Sequence, residues 1–149
     1  MQLFSNIGVD VAKDAVVVAC AAQSFSTHSV TNQRAPLLTW LKSIPAGSRI
    51  GLESTGSYHE LLADLAHAQG HVVYLLNPLD TKHYARAMGN RAKTDRVDAE
   101  LMACLIAQEH AHLRPYTPPT SNQRKLDRLI WRRAKIVRIK SSLKLTMGI

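Results

Sequence analysis

Residues 92–101 read AKTDRVDAEL and place two aspartates, Asp95 and Asp98, three positions apart behind a basic loop. Positions i and i+3 of a helix are neighbours, with about 5–6 Å between their Cβ atoms, so both carboxylates can serve one point. Two further carboxylates stand out. Asp10 lies between Val9 and Val11 in an apolar run, where a carboxylate is costly to bury without a partner. Glu53 closes the run RIGLE, just before a turn at Thr55-Gly56. Four carboxylates at one point repel one another unless a divalent cation neutralises them, and oxygen-only ligands favour Mg²⁺ or Mn²⁺. Two such ions about 3.5–4 Å apart can clamp a scissile phosphate, activating the attacking oxygen and stabilising the leaving one.

The aspartate pair also has a plainer reading. Asp95 can be a helix N-cap and Asp98 a favourable charge in the first turn. Glu53 before a turn is unremarkable by itself. Asp10 is the hardest to explain away. The metal chemistry therefore depends on a fold that brings the three segments together.

The elements that must do so are legible in outline. The first thirty residues, rich in Val and Ala, read as a strand meander with turns at Lys13-Asp14 and Gln23-Ser24. A helix is predicted over 34–44, with Pro36 in its first turn, and RIGLE over 49–53 is a short strand. Ser57 and Glu60 have the form of a capping box opening a helix through Ala68 that Gly70 closes. HVVYLL over 71–76 is apolar enough to predict a strand buried on both faces rather than on a wet edge. Asn77-Pro78 breaks it, and a short helix runs to about Met88. After the basic loop 89–94, a helix over 95–109 is expected to turn Leu101, Cys104 and Leu105 inward. Pro115, Pro118 and Pro119 mark a stiff linker before a last helix. Three meandering strands followed by βα units predict an α/β fold, a mixed sheet flanked by helices, as in ribonuclease-H-like domains or one half of an actin-like ATPase.

IGVDVAKD at 7–14, GLESTGSYHE at 51–60 and NRAKTDRVDAELMA at 90–103 together resemble the DEDD-type insertion-sequence transposases related to the Piv/MooV DNA invertases. The resemblance implies a RuvC-like, ribonuclease-H-like domain over residues 1–112. It implies a catalytic and metal-binding tetrad at Asp10, Glu53, Asp95 and Asp98. Members of that family continue through a coiled coil into a domain bearing a nucleophilic serine, whose motif no serine here matches. The chain is thus expected to be an N-terminal fragment or shortened copy acting in Mg²⁺-dependent strand cleavage and transfer. DNA is the implied partner and, for some members, so is a guide RNA bridging donor and target.

Charge supports a polyanion partner. The net charge of +8 lies wholly in residues 121–149, where nine Lys and Arg stand against Asp127 alone. Residues 1–112 are read as the RuvC-like domain that carries the four acids, 113–120 as linker, and 121–149 as a basic helix beginning a coiled coil. Its apolar side, Leu126, Leu129, Ile130, Val137 and Leu143, suggests a homo-oligomer. Arg124, Lys125, Arg128, Arg132 and Arg133 on that helix, with Arg91, Lys93 and Arg96 around the acidic pair, are the expected nucleic-acid contacts. Trp131 is expected to pack against the body rather than stack on a base.

Other classes fit less well. An actin-like ATPase wants a Gly/Thr/Ser-rich phosphate hairpin where this chain has Val-Ala-Lys-Asp over 11–14. A junction-resolving endonuclease shares the chemistry. A nucleic-acid-binding fragment with an idle tetrad shares the residues. Cys20 and Cys104 lack metal or redox spacing and read as small buried hydrophobes. No apolar run approaches the ~18 residues of a membrane span, so a cytoplasmic setting and no membrane partner are expected, and the resemblance implies a bacterial, nucleoid-associated one.

Overall fold

The computed structural model describes residues 4–21, 26–54, 56–89 and 94–149, the Asp95 side chain excepted. Three strands open the chain: β1 (Asn6–Val11), β2 (Ala15–Cys20) and β3 (Ser26–Thr31). Then come α1 (Arg34–Ser43), β4 (Arg49–Glu53), α2 (Glu60–Ala68), β5 (Val72–Leu76), α3 (Pro78–Ala87) and α4 (Asp95–Glu109). A 3₁₀ turn at His110–His112 follows, and then α5 (Ser121–Thr146). The strands form one sheet in the order β3-β2-β1-β4-β5. β1, β2 and β3 pair antiparallel, whereas β1, β4 and β5 run parallel. Parallel neighbours need a crossover, and α1 and α2 supply the two.

Strand alternation divides the core into two layers. Ile7, Val9, Val16, Val18, Ile50, Leu52 and Val73 face α1 and α2, and meet Leu37, Leu41, Leu62 and Leu65 there. On the other face, Tyr74 and Leu76 pack with Met102, Leu105 and Ile106 of α4. α4 lies mainly across β1 and also touches β2 and β4.

That second face is thin for a reason visible in β1 and β4. Gly8 and Gly51 are paired in the ladder. A Cβ at Gly8 would run into the Ala99 carbonyl oxygen and the Ala103 nitrogen, and one at Gly51 into the Ile106 side chain. Helix backbone thus rests almost directly on strand backbone, an approach open only to glycine opposite small helix residues. The inner face of α4 is accordingly Ala99, Met102, Ala103, Leu105 and Ile106. Leu101 and Cys104, expected inside, are only half-buried and border a cleft against α3 instead. Cys20 is likewise half-buried.

One other expectation changes. The capping box at Ser57 does not form: α2 begins at Glu60 behind a turn, its N-cap position is His59, and no side chain caps it. β5 lies at the edge of the sheet, yet it is buried on both faces as expected, Val73 on one and Tyr74 and Leu76 on the other. Its outer edge is nevertheless covered, because Tyr116 N–H donates to the Val73 carbonyl at 2.7 Å and the Tyr116 hydroxyl to Asp64 at 2.7 Å. Covering an apolar edge with a following segment removes the unpaired ladder that would otherwise invite association. The turn at Gln23-Ser24 lies outside the described residues, as does Thr55.

Backbone proximity separates the chain into Met1–Thr117 and Pro118–Ile149. The second unit is α5 with its lead-in, and Thr120 and Gln123 form a reciprocal capping box at its start. No residue of α5 is buried. Trp131, expected to pack away, is 64% exposed, with the Lys135 ammonium 5.4 Å from its ring centre. No helix among the described residues is long and apolar enough to cross a membrane.

Candidate functional site

Asp10 and Glu53 stand one position beyond Val9 and Leu52, the last residues paired between β1 and β4. Parallel neighbours in register carry their side chains on the same face, about 4.8 Å apart across the ladder. Each is two residues past its glycine, so both project on the face where α4 lies. Asp10 pairs with Val17 on its other side, and Glu53 with Leu76. Asp10, Glu53 and Leu76 therefore form a row directly beyond the row Gly8, Gly51 and Tyr74 on which α4 rests.

Asp98 lies four residues before Met102, on the stripe that seats the helix at Gly8. Asp95 is one further turn along that stripe and is the first residue of the helix. The plainer reading of the pair is corrected at this point. The cap is Thr94, whose hydroxyl oxygen accepts from Val97 N–H at 3.2 Å, and Asp95 is not the N-cap.

Glu53 is held on both sides. The Ser54 N–H donates to the Leu76 carbonyl at 3.0 Å, which fixes the strand end. The hydroxyl of Thr81, itself only 7% exposed, donates to Glu53 Oε1 at 2.9 Å. Neither Thr81 nor the glycine pair was foreseen. The glycines carried a usable signal, since a lone Gly inside a strand marks close approach of another backbone. Thr81 carried none, because its partner is 28 residues away.

Among the described residues, no three His, Cys, Asp or Glu groups form a set able to hold a metal ion. The structure brings Asp10 and Glu53 to neighbouring positions and sets Asp98 on the helix over the same face. The donor chemistry of these groups is carboxylate oxygen throughout, which fits a hard divalent cation rather than zinc. The loop cations Arg91 and Lys93 lie outside the described residues. Arg96 is exposed and pairs with Glu100 at 2.9 Å along α4. Lys125, Arg132 and Arg133 are exposed on α5, and Arg124 is partly exposed.

Residues 7–147 match the model of a transposase family, the DEDD transposases of IS110 type. The chain belongs to that family. It is 34% identical over 134 residues to the pilin gene-inverting protein of Moraxella bovis, covering 85% of this chain and 41% of that protein. The pilin gene-inverting protein of Moraxella lacunata is 34% identical over 139 residues, with the same coverage of 85% and 41%. The chain thus spans about two-fifths of the length of the curated relatives it matches. Its fold is similar to that of T. thermophilus RuvC in complex with a Holliday junction substrate. The TM-score is 0.57 at 12% identity, over 76% of this chain and 100% of that one. A second Thermus thermophilus RuvC structure gives a TM-score of 0.52 at 13% identity, over 74% and 98%. The ribonuclease-H-like mixed sheet expected from the motifs is the fold, and the domain is of the DNA transposase and recombinase type.

Proposed function

We propose that this chain is the metal-binding part of a DNA transposase or site-specific recombinase, with Asp10, Glu53, Asp95 and Asp98 holding Mg²⁺ or Mn²⁺ between them. The supporting observation is the carboxylate row on β1 and β4, set one step beyond the glycine seat of the helix that carries the other two acids. A divalent ion held there would polarise a phosphoryl oxygen and the attacking oxygen in strand cleavage and transfer.

The protein's own residues do the rest of the work. Asp10 and Glu53 act from strand ends fixed by their ladders, and α4 presents its aspartates from a turn capped by Thr94. Arg91, Lys93 and Arg96 would meet the phosphates beside the acids. The Arg96–Glu100 pair is no obstacle, since an exposed i,i+4 pair contributes only about 0.3–0.5 kcal/mol. Arg124, Lys125, Arg128, Arg132 and Arg133 extend sequence-independent attraction along the nucleic-acid backbone.

In this reading residues 1–112 are the RuvC-like domain that carries the four acids, 113–120 the linker and 121–149 a basic helix. Leu126, Leu129, Ile130, Val137 and Leu143 on α5 are 46–61% exposed, which supports a coiled coil with a second copy of the chain. Complete recombination also requires a serine-bearing domain, and a guide RNA bridging donor and target DNA is a further partner. The setting is the bacterial cytoplasm at the nucleoid. The likeness to RuvC supports a second reading, a junction-resolving endonuclease.

Thermal unfolding with and without Mn²⁺, on wild type and Asp98→Asn, tests the centre. Bound metal stabilises by mass action, about 2.7 kcal/mol at a hundredfold excess over Kd. Asp98→Asn should raise metal-free stability, by relieving repulsion, and blunt the metal response. No metal shift in the wild type, together with a destabilised variant, would end the metal reading. Tighter binding of four-way junctions than of duplex in Mg²⁺ would favour the second reading.

A further inference from the structure

Thr81 is one of few buried polar residues, and its hydroxyl sits among three oxygens: Glu53 Oε1 and the Pro78 carbonyl at 2.9 Å, and the Asn77 carbonyl at 3.5 Å. A hydroxyl has one proton to give. An ionised carboxylate accepts it more strongly than a neutral carbonyl does. The bond that survives is therefore the one to Glu53, across from α3 to the end of β4.

The donor is itself rigidly placed. α3 starts with Pro78 in its first turn, and Asn77 Oδ1 accepts from Leu79 N–H at 2.9 Å. The Thr81 N–H donates to the Asn77 carbonyl at 3.1 Å, so its backbone is fixed within that turn. Glutamate loses much rotamer freedom when it is held in one geometry. A carboxylate oriented before a ligand arrives has already lost it, and its second oxygen keeps its acceptor capacity.

We infer that Thr81 is a positioning residue for Glu53, orienting that carboxylate for a divalent cation; the inference rests on the metal-centre reading above. Groups that orient metal ligands through a hydrogen bond change affinity when removed, and they do so without touching the metal.

The test is Mn²⁺ binding to the 149-residue chain, read by water-proton relaxation, for wild type, Thr81→Val and Thr81→Ser. Thr81→Val keeps the shape and removes the donor, and should weaken Mn²⁺ binding roughly tenfold or more. Thr81→Ser keeps the donor and should stay within about twofold. Metal-free thermal midpoints of all three report folding, and Thr81→Ala replaces Thr81→Val if the latter does not fold. Wild-type affinity in Thr81→Val overturns the positioning role and leaves the metal centre standing. Equal weakening in the valine and serine variants overturns it too, because serine keeps the hydroxyl that valine lacks. A wild-type chain that binds no Mn²⁺ overturns the centre itself, and this role with it.

Discussion

Replacing Gly8 by alanine should lift α4 from the sheet. The added Cβ would overlap the Ala99 carbonyl oxygen and the Ala103 nitrogen and stand 2.9 Å from Met102 Cβ. Two of those three atoms are backbone, so no side-chain rotation relieves the clash. Carbon atoms settle at about 3.5–4.0 Å, so the helix must rise by about 1 Å or more. Met102 and Ile106 then lose contact with Tyr74 and Leu76 along the whole face. Overpacking a well-packed core costs about 1–3 kcal/mol, and a clash with helix backbone belongs at or above the upper end. With a urea m-value of about 2 kcal/mol/M, a loss of about 3 kcal/mol lowers the midpoint by about 1.5 M. Gly51→Ala is the internal control. Its Cβ meets side chains alone, 2.5 Å from Ile106 Cγ1, 2.9 Å from Ile106 Cδ1 and 3.3 Å from Leu76 Cδ1, and side chains can shift where backbone cannot. It should cost clearly less, about 1 kcal/mol. Urea unfolding of the two variants, with m unchanged, provides the comparison. Equal small losses, below about 0.5 kcal/mol, would refute the claim that glycine is what seats the helix.

Two further predictions concern titration. His71 is 5% exposed, its Nε2–H donates to the Leu41 carbonyl at 3.2 Å, and its buried Nδ1 has no hydrogen-bond partner among the described residues. Burial lowers its pKa, partly opposed by the Leu41 bond, so the unfolded chain binds the proton more readily. Stability is therefore full above the unfolded value of about 6.5 and falls as pH drops from there towards the lowered folded value. His71→Gln should flatten the wild-type loss between pH 7.5 and 5 in urea midpoints, and parallel profiles would exclude the assignment. Burial first, and then the charge of Glu100, push the Cys104 thiol up, so little thiolate forms near neutral pH. Iodoacetamide at pH 8 should alkylate Cys104 more slowly than an unstructured cysteine peptide, and Glu100→Gln should speed it; a rate equal to the peptide's would contradict the account.

The acids of the proposed site stood out because their local settings were costly or periodic. An aspartate between valines demands a partner, and an i,i+3 pair declares a shared helix face. The order of elements followed from Val-rich runs and turn residues, and the family from three motifs in series. Much else depended on atoms far apart in the chain. Ser57 has capping-box form, yet a turn over 56–59 delays the helix to Glu60, and Thr94 rather than Asp95 caps α4. Leu101 is more apolar than Ala99, yet Ala99 faces inward, because Gly8 leaves room only for backbone and a methyl group.

Residue types and their local spacing were enough to nominate the four acids and to give the charge of the last helix and the succession of strands and helices. These are properties of residue type and of spacing within one turn or one pleat. Only the tertiary structure decided that Asp10 and Glu53 stand side by side, that α4 rests on two glycines, that Thr81 reaches Glu53 and that Tyr116 seals the edge of β5. Each of those contacts joins residues more than twenty positions apart. Such pairings are chosen by close packing of the whole core, and no window of the sequence contains both partners.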